Sequence, residues 1–178
     1  MKINQLVWQH GGLAALISVI LSLVAYIIGV EALVGWPIGV AQSLLIIITM
    51  IVVSRAIRAD EGGIINFSRL LGHIMIAVVC LLVSSIVFNL VLFNLIDTEL
   101  IDTVADITVE RVEGMMESFG LEDDLLEQTL ADTELQIRKG YTLSGAFIGL
   151  IYGSAFWGLI ALIIAAIFKR SPENKINF

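Results

Sequence analysis

Four stretches of this sequence contain no Asp, Glu, Lys or Arg: residues 8–30, 37–54, 70–96 and 141–168. Ionisable groups held inside a membrane are the default mark of ion paths and proton relays, so their lack argues against a coupled pump. There is one cysteine, Cys80, within an apolar run. It can form no intrachain disulfide, leaves a structural zinc site short of thiolates, and reads as a small buried hydrophobe. Basic residues are also scarce, with ten Lys and Arg against seventeen acids and a net charge of −7. That balance argues against nucleic acid as a partner. No His-x-x-x-His, Gly-x-Ser-x-Gly or metal-ligand cluster occurs, so no catalytic constellation is visible and neither enzymatic activity nor a cofactor is expected.

What the chain has instead is apolar length. Its hydrophobic content is 58%, against about 45–50% in a soluble domain. The four uncharged stretches approach or exceed the ~20 residues that cross a ~30 Å hydrocarbon core. We therefore expect an all-α polytopic membrane protein, a single membrane domain over residues 1–178 with four transmembrane helices and membrane lipids as its surroundings. The first stretch contains an 18-residue apolar run, Leu13–Val30. This is longer than a signal-peptide h-region of ~7–15 residues, and Val30-Glu31-Ala32 is no small-x-small cleavage site. It reads as a retained span, with Trp8 and His10 near the headgroups.

The connections carry their own signals. Glu31–Pro37 is a short turn, and Pro37 suits the first turn of the second helix, where its missing N–H costs nothing. Gln42 lies close to the start of that helix and is expected near the interface. Arg55–Arg69 reads as a loop in which Gly62-Gly63 makes a tight turn with at least one residue at positive φ. No strand or lysine accompanies these glycines, so they form no phosphate loop.

Charge sets the orientation. With four spans, one side carries seven basic residues against three acids, and the other carries three against fourteen. Lys and Arg stay in the cytoplasm. Both termini are thus expected inside a bacterial inner membrane, and the acidic insert 97–139 outside. Within the insert, Asp102, Asp106, Glu110, Glu113 and Glu117 fall within roughly an 80° arc of one helix, with Leu100, Val104, Ile107, Met115 and Phe119 opposite. Gly120 supplies a stop signal. A second segment, Glu122–Lys139, has acids first and Arg138 and Lys139 last, complementing the helix dipole. An extramembrane acidic helical hairpin follows. Its acidic stripe is a weak candidate for Ca²⁺ or Mg²⁺, but no EF-hand loop accompanies it and a solvated face is the simpler reading.

Two features inside the spans stand out. Gly145, Gly149 and Gly153 repeat every four residues, a pattern that lets another backbone approach, either within the bundle or across a homo-oligomer. Ser85 and Asn89 share a face of the third span, and with Asn94 they outline a polar groove or an interhelical hydrogen-bonding edge. His73 lies near the cytoplasmic end of that span.

The order of features resembles the bacterial domain-of-unknown-function family 4199. The features are two spans, the loop Gly62-Gly63-Ile64-Ile65-Asn66-Phe67-Ser68, a third span ending Phe93-Asn94-Leu95-Ile96-Asp97, a Met115-Met116-Glu117 insert, a glycine-striped fourth span and a Lys169-Arg170 tail. The resemblance covers essentially the whole chain. It implies no activity, and at most a neighbour among membrane glycosyltransferases acting on lipid-linked sugars. Thr98 stands where such proteins often have proline, so the helix is expected to run smoothly into the insert. The function expected is that of a non-enzymatic accessory or interaction subunit with a membrane-protein partner or a second copy of itself. The alternative is a small transport or flippase-like component for a lipid-linked substrate.

Overall fold

The computed structural model describes residues 3–119 and 123–169, a series of helices joined by short turns. Four helical stretches are long and apolar enough to cross a membrane: Gln5–Ile28, Val30–Asp60, Phe67–Ile96 and Leu143–Phe168. The first is α1 (Ile3–Ile28). The second is a short α2 (Val30–Leu33) leading into α3 (Trp36–Asp60), and the third is α4 (Phe67–Val91) extended by a π turn over Leu92–Ile96. The fourth is α7 (Leu143–Phe168), and α5 (Leu100–Ser118) and α6 (Asp123–Gly140) lie between the third and fourth.

The helix α4 is central, with α1, α3 and α7 all packed on it. Its Leu70, Ile74, Ala77, Val78 and Leu81 are fully buried. In lipid, apolar side chains gain little by leaving a solvent as apolar as themselves, so association depends on close packing and hydrogen bonds. α1 shows this logic. Ala14, Ala15, Ser18 and Ala25 face inward, while Leu13, Leu16, Ile20 and Ile27 face out. The tightest approach is at Gly11, where a Cβ would stand 3.3 Å from the Ala77 Cα. Seven residues on, Ser18 reaches Ser85, so α1 and α4 run parallel in register.

At the expected glycine seam of α7 the surroundings differ from one position to the next. A side chain at Gly149 would meet nothing within 4 Å, and one at Gly153 only the end of Leu82. At Gly145 a Cβ would overlap the carbonyl of Lys139, so that glycine serves its own turn rather than a neighbouring helix. Small residues also seat a neighbour on α1, where Gly11 meets Ala77. α7 buries Trp157, Ala161, Ile164 and Ala165 in its second half, against the region of Met50, Val53 and Ile57 of α3. In its first half Leu143, Phe147 and Ile148 are exposed.

Connections are shorter than the sequence implied. The expected loop 55–69 shrinks to residues 61–66, because α3 continues to Asp60 and α4 starts at Phe67. Arg58 in the last turn of α3 complements the carbonyl end of the helix. Asn66 caps α4 by accepting from the Ser68 N–H at 3.1 Å. Gly62 and Gly63 take φ of 67° and 93°, conformations that other residues adopt only with strain, and Arg69 pairs with Glu61 at 2.9 Å across the turn. Pro37 lies in the first turn of α3.

The smooth run through Thr98 is also corrected. The π turn closes with the Asp97 N–H bonded to the Leu92 carbonyl at 2.9 Å, and Asp97 then leaves helical geometry at φ −139°, ψ 86°. Tertiary contacts override local propensity here. Phe93 is buried and stacks on Tyr141 at 3.9 Å between ring centroids. The Asp97 carboxylate accepts a 3.0 Å bond from the Tyr26 hydroxyl.

Gly11→Leu is expected to lower stability in detergent by about 1–3 kcal/mol through overpacking against α4, whereas Gly149→Leu leaves it nearly unchanged. Reversible unfolding of both variants in mixed micelles checks the contrast. An equal loss at the two positions would return the seam to α7.

Candidate functional site

Three of the spanning helices are joined through one amide and a serine. Gln42 of α3 accepts from the Ser18 hydroxyl at 2.7 Å and donates to the Ser18 carbonyl at 3.0 Å and the Ser22 hydroxyl at 3.1 Å. A carbonyl can only accept, which fixes Nε2 on that side. Ser18 Oγ also lies 2.8 Å from Ser85 Oγ of α4. Its single hydrogen is already given to Gln42, so Ser85 is the donor. Ser18 is fully buried. Gln42, expected near the start of its span, links α1 and α3. Other intramembrane hydroxyls, Thr49, Ser54 and Ser84, bond the carbonyl four residues back, as polar groups in lipid must be satisfied within the protein.

Beside this network the bundle opens. One cavity of about 280 Å³ is lined by Ser22, Gln42, Ser85 and Asn89 among apolar residues of α3 and α4. A second, of about 310 Å³, lies between α4 and α7 against Gly145, Ala146 and Gly149. The two share Leu82, Ser85, Asn89 and Tyr141 as a common wall. The open face of the α7 glycines is therefore one side of a groove whose polar edge is on α4. Asn94, expected in the same groove, is elsewhere. Its Nδ2 donates to the Leu90 carbonyl at 3.0 Å and the Tyr141 carbonyl at 3.1 Å, tying the end of α4 to the start of α7.

At the same end a second apolar cluster holds α5 and α6. Leu92, Phe93, Leu100 and Val104 are buried together, packed against Tyr26, Leu33, Ile137 and Tyr141. Arg111 of α5 donates to the Val34 carbonyl at 3.1 Å. Arg138 of α6 pairs with Asp102 of α5 and with Glu134 at 2.9 Å, and both carboxylates raise its pKa and hold it charged. The apolar face of α5 is buried for only part of its length, since Met115 and Phe119 are 56% and 75% exposed. Asp102, Asp106, Glu110, Glu113 and Glu117 are all exposed. Among the described residues no three His, Cys, Asp or Glu side chains converge on a metal position. The stop signal at Gly120 and the start of the second segment at Glu122 lie outside the described residues.

The two histidines each bond the preceding turn through Nδ1, His10 to the Leu6 carbonyl and His73 to the Arg69 carbonyl. Cys80 lies beside Met75, Ile76 and Val83 in a separate apolar cavity. What sequence reading missed is Ser18 and Ser22. The signal was present, as Gly11, Ser18, Ser22 and Ala25 follow the three- and four-residue spacing that was read only in α7.

Gln42→Leu is expected to destabilise the bundle by about 1–2 kcal/mol, near the upper range for interhelical hydrogen bonds in membranes. Ser18→Ala and Ser85→Ala should be non-additive, because they remove one shared bond. A double-mutant cycle in detergent unfolding reads both, and strict additivity would contradict the network.

No curated protein and no solved structure matches the chain. A family match, however, spans residues 9–170, nearly the whole of the membrane bundle and the α5–α6 segment together. On that extent the chain belongs to the family described as Protein of unknown function (DUF4199).

Proposed function

We propose that this chain is a non-enzymatic accessory or interaction subunit of a bacterial inner membrane, with both termini in the cytoplasm and α5–α6 presented on the outer side as an acidic helical hairpin. The observation that carries the reading is the combination of anchoring and exposure in that pair. Its base is fixed to the bundle through Leu100, Val104 and Arg111. Its far part leaves Met115, Phe119 and Leu125 uncovered beside the exposed carboxylates. Aromatic and methionine side chains held on a fixed support are the residues that interfaces favour. The orientation rests on the positive-inside rule, with Arg55, Arg58 and Arg69 at the opposite end of the bundle from the acids.

A transport role for a lipid-linked substrate is the second reading, and the groove beside Ser85 and Asn89 is what favours it. Passage needs a route to the other face, however. Toward the 60–67 end the bundle is filled by Met50, Ile74, Val78 and Ala161, all with no exposed surface. The geometry suits occupancy better than passage.

Two measurements test these assignments. In a Cys80→Ser background, Glu127→Cys should react with an impermeant maleimide in spheroplasts, and Arg58→Cys only after lysis; the reverse pattern would invert the topology. A photoreactive residue in place of Phe119 should give one discrete adduct in living cells, lost on Met115→Glu. An adduct only with a second copy of the chain would assign the surface to self-association, and no adduct would remove the partner reading.

A further inference from the structure

The groove wall contains two polar side chains, Asn89 and Tyr141, that no described residue satisfies. Among the described residues neither the Asn89 amide nor the Tyr141 hydroxyl has a hydrogen-bond partner. Neither group is sealed in, since among the described residues no fully buried side-chain polar atom lacks a partner. Both therefore face space that something else can enter. Asn89 is seven residues before the end of the third span, or roughly 10 Å along it at 1.5 Å per residue, a depth that lies within a ~30 Å hydrocarbon core. An unpaired amide at such depth costs several kcal/mol in the absence of water or a ligand.

Three properties of the surroundings specify what fits. First, no charged side chain lines either cavity, so an anionic phosphate drawn to Asn89 would be desolvated without a counter-charge. Second, the second cavity is lined by residues of both α4 and α7 and includes Gly149, which is exposed and has no neighbour where its side chain would be. Third, the lining beyond the polar edge is apolar, with Ile86, Leu90 and Ala146 among its residues. Volumes of about 280 and 310 Å³ are at the lower end of ligand pockets, ~300–1,000 Å³.

We propose that the α4–α7 groove is a lateral binding site for a neutral amphiphile, its uncharged hydroxyl or ester group on Asn89 and Tyr141 and its hydrocarbon chain leaving past Gly149 into the bilayer. An amide offers both donors and an acceptor, and a phenol one of each, so a group such as the hydroxyl-ester head of a diacylglycerol satisfies both. The site stands apart from any partner held by α5–α6. The Ser18–Gln42 network bounds it on the inner side, and the filled 60–67 end keeps the ligand in the half of the membrane nearest α5–α6.

The test is thermal unfolding of the purified full chain in maltoside micelles with 1,2-dioleoylglycerol, dioleoylphosphatidylglycerol or octadecane. Dioleoylglycerol should raise the midpoint saturably by on the order of 5 °C, and the phospholipid and the alkane should not. Asn89→Leu should remove the shift by deleting the polar partner, and Gly149→Leu should remove it by filling the opening. If Asn89→Leu fails to fold, Gly149→Leu and the three-lipid comparison still decide. A full shift retained in Gly149→Leu, a phospholipid shift as large as that of dioleoylglycerol, or no shift with any lipid would each overturn the proposal.

Discussion

The bonds between Gln42 and Ser18 are the constraint on which the arrangement of spans depends. In water an amide has partners everywhere and specifies nothing. In a hydrocarbon medium it has only the side chains and carbonyls that the fold brings to it. Gln42 uses three of its bonding positions on α1, and Ser18 passes the connection to Ser85 on α4. One amide thus fixes the rotation of three helices about their own axes. Close contact at Gly11 and Ala77 fixes their separation. Apolar packing alone would allow helices lined with Leu and Ile to slide and rotate at little cost.

The two ends of the bundle differ because of how each is closed. At the 60–67 end, α3, α4 and α7 converge on a continuous apolar core, and Ile65 of the connecting turn is buried in it. At the other end the closing material is α5 and α6, held by Leu100 and Val104, by the Phe93–Tyr141 stack and by polar bonds from Asp97, Asn94 and Arg111. The two cavities lie toward this end, one lined by α3 and α4 and the other by α4 and α7. The polar insert and the groove are consequences of one another. The acidic surface that faces away from the bundle and the uncharged surface that faces into it belong to neighbouring turns of the same chain.

Much of this architecture was legible in the sequence. Uncharged runs of spanning length locate four helices, Pro37 and Gly62-Gly63 mark turns, and the acidic periodicity of residues 102–117 lies along one helix. The site was legible only in part. Ser85 and Asn89 share a helix face by spacing alone, and both do line the groove. Gln42 and Ser18 were not paired because the linear sequence does not show which helix turns toward which. The small-residue pattern was legible only in part for a related reason. Spacing shows that a face is small but not whether a neighbour occupies it, and on α7 one glycine serves a turn while another faces open space. The break at Asp97 was hidden as well, since it follows from a hydroxyl on α1 that lies 71 residues away.

The π turn at Leu92–Ile96 sets a limit on how this chain can change in length. A turn closed by a bond to the fifth residue back holds one residue more than the α-helical turn it replaces. That extra residue rotates everything after it by roughly 100° relative to an unbroken helix. The rotation places Asp97 on Tyr26 and delivers Leu100 to the apolar cluster. Deleting a single residue from this segment would carry both to the wrong side of the helix while leaving the span long enough to cross the bilayer. The stretch between Asn89 and Leu100 is therefore a place where chain length, rather than residue type, is under strict geometric control.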